Sequence, residues 1–110
     1  MDSMDLEINV AQAQVLLSGE NPPLLLDVRE PAEYAIARID PSIHIPMEEI
    51  PSRALQELKE ESPILVLCHH GMRSLSVAAW LRQQGFEKAQ SIRGGIHAWS
   101  NLIDPTIRCY

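Results

Sequence analysis

The sequence predicts an α/β fold: a central, mostly parallel sheet with helices on both faces. Three observations predict it. The runs "LLLDV" and "ILVLC" are apolar without alternation, as strands covered on both sides are. Segments with helical periodicity stand between such runs, and crossovers of that kind join parallel strands. The buried runs end in residues that carry chemistry, Asp27 to Arg29 on one and Cys68 on the other, and in open parallel sheets ligands gather at the carboxyl ends of the strands.

The elements follow in order. "DLEI" (5–8) reads as a weak first strand. "NVAQAQVLLSG" reads as a helix with Asn9 as N-cap, Gly19 past its end, and Val10, Ala13, Leu16 and Leu17 on one face. Leu24 to Val28 is a buried strand. "EPAEYAIA" is a short helix with Pro31 tolerated in its first turn. "SIHIP" is a brief strand stopped by Pro46, and "PSRALQELKEE" a surface helix with its charges outward. Ile64 to Cys68 is the second buried strand. Arg73 to Gln84 is a helix whose middle, "LSVAAWL", is apolar almost all round and is expected to be the most buried. Gly85 suits a left-handed cap, with Phe86 folding back on Leu81. "AQSI" is a short strand, "RGG" a turn and "IHAWSNL" a final helix.

With 110 residues, one domain over 1–110 is expected, its core about 5–102 and an irregular tail at 103–110. The net charge of −6 argues against nucleic acid as a partner, because phosphate contact favours a basic face. No apolar run spans a bilayer and the acidic start lacks a signal-peptide pattern, so a cytoplasmic protein away from membranes is expected. A reducing compartment disfavours a structural disulfide between Cys68 and Cys109.

The stretch "CHHGMRS" carries the chemistry. A cysteine at a strand end, followed by a short loop and a helix, places its sulfur where loop N–H groups form an anion-binding nest. The positive end of the next helix adds to this, and Arg73 brings a full charge. All three stabilise an anionic, nucleophilic sulfur. Gly71 supplies the positive φ that a tight nest needs. Ser74 is expected to cap the helix and to donate to the sulfur or its cargo. A strand-end cysteine by itself is more often an inert core residue; the full pattern tips the balance towards a reactive thiol.

Other candidates weigh less. A metal site from Cys68, His69 and His70, with His44 or His97, is set aside because adjacent residues rarely ligate one ion tetrahedrally. No metal and no cofactor are expected. His69 and His70 are expected to lend their backbone N–H groups and expose their rings. Asp27 and Arg29 lie at the edge of the site and either act in it or are structural, Asp27 bonding loop N–H groups and Arg29 pairing with Glu33; the structural reading is favoured. Arg93 either attracts an anionic donor or is merely solvated. Gly94 and Gly95 allow a tight turn, and Trp99 is read as core.

Three stretches resemble the rhodanese-like domains, the single-domain sulfurtransferases. "LLLDVREPAEY" is close to that family's Leu-Leu-Asp-Val-Arg-x-x-x-Glu-Tyr. "CHHGMRS" matches Cys-x-x-Gly-x-Arg-Ser, and "IRGGIHAW" matches the Gly-Gly-x-x-x-Trp ending. The segment "ARIDPS" (37–42) departs from the family's Gly-His-Ile-Pro-Gly-Ala and matches only at Ile39. The resemblance implies that Cys68 takes sulfur from a small donor such as thiosulfate, becomes a persulfide, and yields it to cyanide or a thiol. It places His69, His70, Gly71, Met72, Arg73 and Ser74 around that sulfur. A sulfur relay to a protein acceptor would use the same chemistry. A cysteine phosphatase or arsenate reductase would need Cys-x5-Arg, one residue more than separates Cys68 from Arg73.

Overall fold

The computed structural model describes residues 5–110. In chain order these form β1 (Glu7–Ile8), α1 (Val10–Leu17), β2 (Leu24–Asp27), α2 (Pro31–Ile36), β3 (Ile43–His44), α3 (Ile50–Glu57), β4 (Ile64–Leu67), α4 (Met72–Gln83), β5 (Ala89–Ile92) and α5 (Gly95–Leu102). A 3-10 turn at Met47–Glu49 leads into α3. The five strands make one sheet in the order β1-β5-β4-β2-β3, with every neighbouring pair parallel. This is the predicted fold class. No helix among the described residues is long and apolar enough to cross a membrane.

The non-alternating strands have a simple cause: each packs a core on both faces. Leu26, Ile64 and Val66 join Ala54, Leu58, Val77, Ala78, Leu81 and Phe86 on the side of α3 and α4. Leu25, Leu65 and Leu67 join Val10, Ala13, Ile96 and Trp99 on the side of α1 and α5. Burying each large aliphatic side chain contributes about 1.5–3 kcal/mol before chain entropy is charged against it. Trp99 is a core residue, as predicted.

Local chemistry sets the helix ends. Asn9 and Gln12 form a reciprocal capping box at the start of α1, with bonds of 2.8 and 2.9 Å. The apolar face of α1 is narrower than predicted: Leu17 is half-buried and Leu16 is exposed. Helix α3 stops at Glu57, well before the predicted end, because Leu58 turns extended and enters the core. Helix α4 ends in a Schellman motif, with Phe86 N–H donating to Leu81 O (3.0 Å) and Gly85 N–H to Arg82 O (3.2 Å). Gly85 takes the positive φ this requires. The expectation that α4 is the most buried helix does not hold. Leu75, Ala79 and Trp80 are only half-buried and Ser76 is exposed, whereas half of the eight residues of α5 are buried.

Residues 37–42 make an irregular connection anchored at three points. Ala37 O accepts from the Arg29 guanidinium, Ile39 enters the core, and Ser42 Oγ lies 2.9 Å from the Tyr34 hydroxyl. The Asp40–Pro41 bond is cis. The segment after α5 is also tied down. Ser100 Oγ donates to Ile107 O at 2.6 Å, and Ile103, Ile107 and Tyr110 pack against the second core. This brings the 103–110 segment back towards the carboxyl end of the sheet.

Candidate active site

Cys68 follows β4 directly and is 1% exposed. The chain then turns through His69, His70 and Gly71 into α4. Gly71 sits at φ 101° and is the N-cap. Its N–H donates to Cys68 Sγ at 3.0 Å, and Ser74 N–H, three residues on, donates at 3.3 Å. The predicted nest therefore exists, but its donors are Gly71 and Ser74 rather than His69 and His70.

Ser74 is not the predicted cap, and it donates to the sulfur through its backbone N–H rather than its hydroxyl. It lies inside the first turn, and its hydroxyl, 3.3 Å from Sγ, accepts from the thiol. That hydroxyl donates to Gly71 O at 3.2 Å and meets Ser91 Oγ of β5 at 2.7 Å. Ser91 is fully buried, and its sequence signal was a small polar residue inside an otherwise covered strand.

Helix α5 holds the loop from behind. Ile96 N–H donates to Cys68 O (2.9 Å) and His97 N–H to His69 O (3.0 Å). The approach requires Gly95, at φ 61°, because a methyl group there would fall on both carbonyls. The "RGG" turn is thus the seat of the cysteine loop.

Arg73 directs its guanidinium hydrogen bonds to Glu33, while its charge still acts on Cys68 through space. Its guanidinium is held by the Glu33 carboxylate of α2 through bonds of 2.7 and 2.9 Å. The hydrogen bonds from Arg73 outweigh partial burial and lower the Glu33 pKa to about 2. The Arg73 pKa rises for the same reason.

The pairing predicted for Arg29 is corrected accordingly. Arg29 is fully buried and pairs with Asp27, its NH2 2.7 Å from Oδ2 and its Nε 2.9 Å from Oδ1. To Glu33 it offers only a bond to the backbone carbonyl, 3.1 Å long. Asp27 also accepts the Arg29 backbone N–H (3.1 Å), as expected of a residue that bonds its own loop. The polar atoms of the two are bonded to each other, to neighbouring backbone and to Tyr110. A buried pair with all its bonds made is costly to break from one side.

Tyr110 is a residue the sequence did not single out. Its hydroxyl accepts from Arg29 (2.9 Å) and donates to Glu33 Oε2 (2.9 Å), and its ring stacks on His69 at 4.1 Å. Burial raises its pKa to about 12. The His69 pKa is lowered, first by burial and then by the neighbouring His70. His70 and Met72 are exposed at the lip of the site. Arg93 is exposed and turned to Glu7 of β1, 3.5 Å away. His44 is elsewhere, its Nε2 2.7 Å from Arg29 O. His69, His70 and His97, by contrast, come together beside the loop.

Fold and site together define an α/β domain that presents one cysteine sulfur in a backbone cradle at the sheet's carboxyl edge. Residues 9–102 match the family model described as Rhodanese-like domain, and the chain belongs to that family. It is 34% identical over 99 residues to Thiosulfate sulfurtransferase GlpE of Tolumonas auensis, covering 90% of this chain and 92% of that one. It is 37% identical over 109 residues to Adenylyltransferase and sulfurtransferase MOCS3-1 of Zea mays, covering 94% of this chain but only 23% of the maize protein's length. Among solved structures, a rhodanese-like domain protein from Staphylococcus aureus superposes with a TM-score of 0.81 at 28% identity, covering 94% of this chain and 97% of that one.

Proposed function

We propose that this chain is a sulfurtransferase that carries sulfane sulfur as a persulfide on Cys68. The observation that carries the reading is the sulfur of Cys68 seated on two backbone N–H groups, at 3.0 and 3.3 Å, at the start of α4. The names of relatives aligned over most of this chain agree with it.

In the first half-reaction Sγ, as thiolate, attacks the outer sulfur of thiosulfate. The S–S bond of the donor breaks, and sulfite leaves with its electron pair. In the second, cyanide or a thiolate attacks the outer sulfur of Cys68-S-S⁻, and Sγ departs as thiolate. Both states place negative charge at the cradle, so the same donors stabilise each. The first N–H groups of a helix have no intrahelical partner; that of Ser74 already serves Sγ, which leaves those of Met72 and Arg73 to meet the added sulfur. A protein thiol would serve as acceptor by the same step.

A phosphatase reading is disfavoured by the cradle's size. Four residues separate Cys68 from Arg73, and that arginine is already held by Glu33.

Intact mass after incubation with thiosulfate tests the proposal. One labile sulfur is expected on wild type and on Cys109→Ser, released as thiocyanate by cyanide. Cys68→Ser is expected to take up none. Uptake by a folded Cys68→Ser protein would overturn the assignment.

A further inference from the structure

The residues set aside above form a second constellation beside the cysteine loop. One ring nitrogen from each of His69, His70 and His97 lies within 4.8 Å of the others. Cys109, an exposed free thiol, brings its Sγ to 3.5 Å from His97 Nδ1. His69 Nε2 is buried and is the one such side-chain atom among the described residues with no hydrogen-bond partner. The ring centroids of His69 and His70 are only 4.0 Å apart, so the turn after β4 overcomes the usual objection to adjacent ligands.

The donor set selects a class of ion. Calcium and magnesium need oxygen ligands, and these atoms are three imidazole nitrogens and one thiol sulfur. Imidazole with thiolate suits zinc and its neighbours in tetrahedral geometry. Metal–nitrogen bonds of about 2.0 Å and metal–sulfur bonds of about 2.3 Å place neighbouring ligand atoms roughly 3.3–3.7 Å apart. The sulfur–nitrogen pair already has that spacing. The imidazoles draw in by about 1 Å, within reach of side-chain rotation.

A supporting residue is also in place. Asn101 meets His97 Nε2 at 3.2 Å through its amide. A half-turn of that amide, which leaves its shape unchanged, presents the carbonyl oxygen to Nε2–H. That bond fixes the tautomer whose Nδ1 lone pair faces Cys109. Second-contact groups of this kind orient ligating imidazoles.

We propose that His69, His70, His97 and Cys109 bind one zinc-class divalent cation, and that its occupancy pins the 103–110 segment over the cysteine loop and slows sulfur transfer. On binding, the Cys109 S–H bond breaks, its proton goes to solvent, and a sulfur–metal bond forms with no redox change. Two ligands belong to the loop that cradles Cys68, one to the helix that seats it, and one to the segment whose Tyr110 already covers the His69 ring. The ion would join all three. The gating half rests on Cys68 being the sulfur carrier; the binding half does not.

Titration of the full chain with Co²⁺ under reducing, anaerobic conditions tests it. Wild type is expected to bind one equivalent, with tetrahedral visible bands and a near-ultraviolet thiolate-to-cobalt band. Cys68→Ser should keep that band and Cys109→Ser should lose it. His97→Ala should lose binding, and Asn101→Ala should weaken it about 10-fold. Zinc should slow sulfur transfer by wild type, reversibly with a chelator, and leave Cys109→Ser unaffected. Absence of stoichiometric binding, or a thiolate band that follows Cys68, would overturn the site. Binding that leaves wild-type transfer unchanged would overturn the gating. Because the spectra are read without turnover, failure of the sulfurtransferase reading would leave them intact.

Discussion

The carboxylate of Glu33 and the guanidinium of Arg73 are joined by two hydrogen bonds, of 2.7 and 2.9 Å, that tie α2 to the first turn of α4. The pair decides what Arg73 does. Arg73 braces the cysteine loop from outside through these bonds while its charge also acts on Cys68 through space.

This pair gives a pH signature. Arg73 depresses the folded-state pKa of Glu33 from 4.5 to about 2. A depressed carboxylate stabilises the fold fully above its unfolded value and loses that contribution as pH falls through the folded one. Glu33→Gln should therefore cost about 1 kcal/mol at neutral pH, the size of a half-exposed charge-assisted pair. Urea midpoints of the two proteins should converge as pH falls from 4.5 towards about 2. A gap that stayed constant over that range would refute the assignment.

Ser74→Ala separates the cradle's hydroxyl from its backbone. The substitution removes contacts to Sγ, Gly71 O and Ser91 Oγ but keeps the Ser74 N–H. Losing a buried hydroxyl should cost about 1–3 kcal/mol in denaturant midpoint. Sulfur transfer should fall yet remain measurable, in contrast to Cys68→Ser. Complete loss in a folded Ser74→Ala protein would mean that the hydroxyl, not the N–H pair, is essential.

Gly95→Ala tests the seat of the loop. The new methyl would meet the carbonyls of Cys68 and His69 at a residue with φ of 61°. Left-handed strain and overpacking together should cost roughly 2 kcal/mol or more. Gly19→Ala is the matched control: its methyl would find only ordinary contacts, the nearest at 3.5 Å. That protein should be unchanged or slightly more stable. Equal denaturation curves for the two variants would contradict the packing described here.

One glycine inserted between Met72 and Arg73 tests the size of the cradle. It lengthens the loop to Cys-x5-Arg and carries the Ser74 N–H, now 3.3 Å from the sulfur, out of register with that of Gly71. Sulfur transfer should be lost while the fold survives. Wild type should not hydrolyse a generic aryl phosphate. Transfer that persisted in the insertion variant would remove the size argument.

The parts of this site legible in the sequence were those fixed by local chain geometry. A strand-end cysteine, a glycine and a helix start are neighbours in sequence, so the cradle could be foreseen at Cys68, Gly71 and Ser74. The one ion pair expected, Arg29 with Glu33, was assigned wrongly for the opposite reason. Glu33 stands four residues from Arg29, and that proximity suggested a pair. Its actual partner, Arg73, lies on another helix, and Asp27 is better placed to satisfy a fully buried guanidinium. Tyr110, His97 and Cys109 gather by tertiary folding alone, and no spacing rule joins them. The positions of the two central strands likewise followed from unbroken apolar runs, whereas the early end of α3 depended on Leu58 finding the core.

The sheet order has a consequence for how the protein is made. Among the described strands β1 precedes the others in the chain yet pairs only with β5, which follows them, and the carbonyls of Cys68 and His69 are held by N–H groups of α5. While α5 is still inside the ribosome, the emerging chain already carries the entire cysteine loop without the helix that shapes it. The loop then exists before its seat does. The position of the Cys68 and His69 carbonyls is thus settled only as the fold closes.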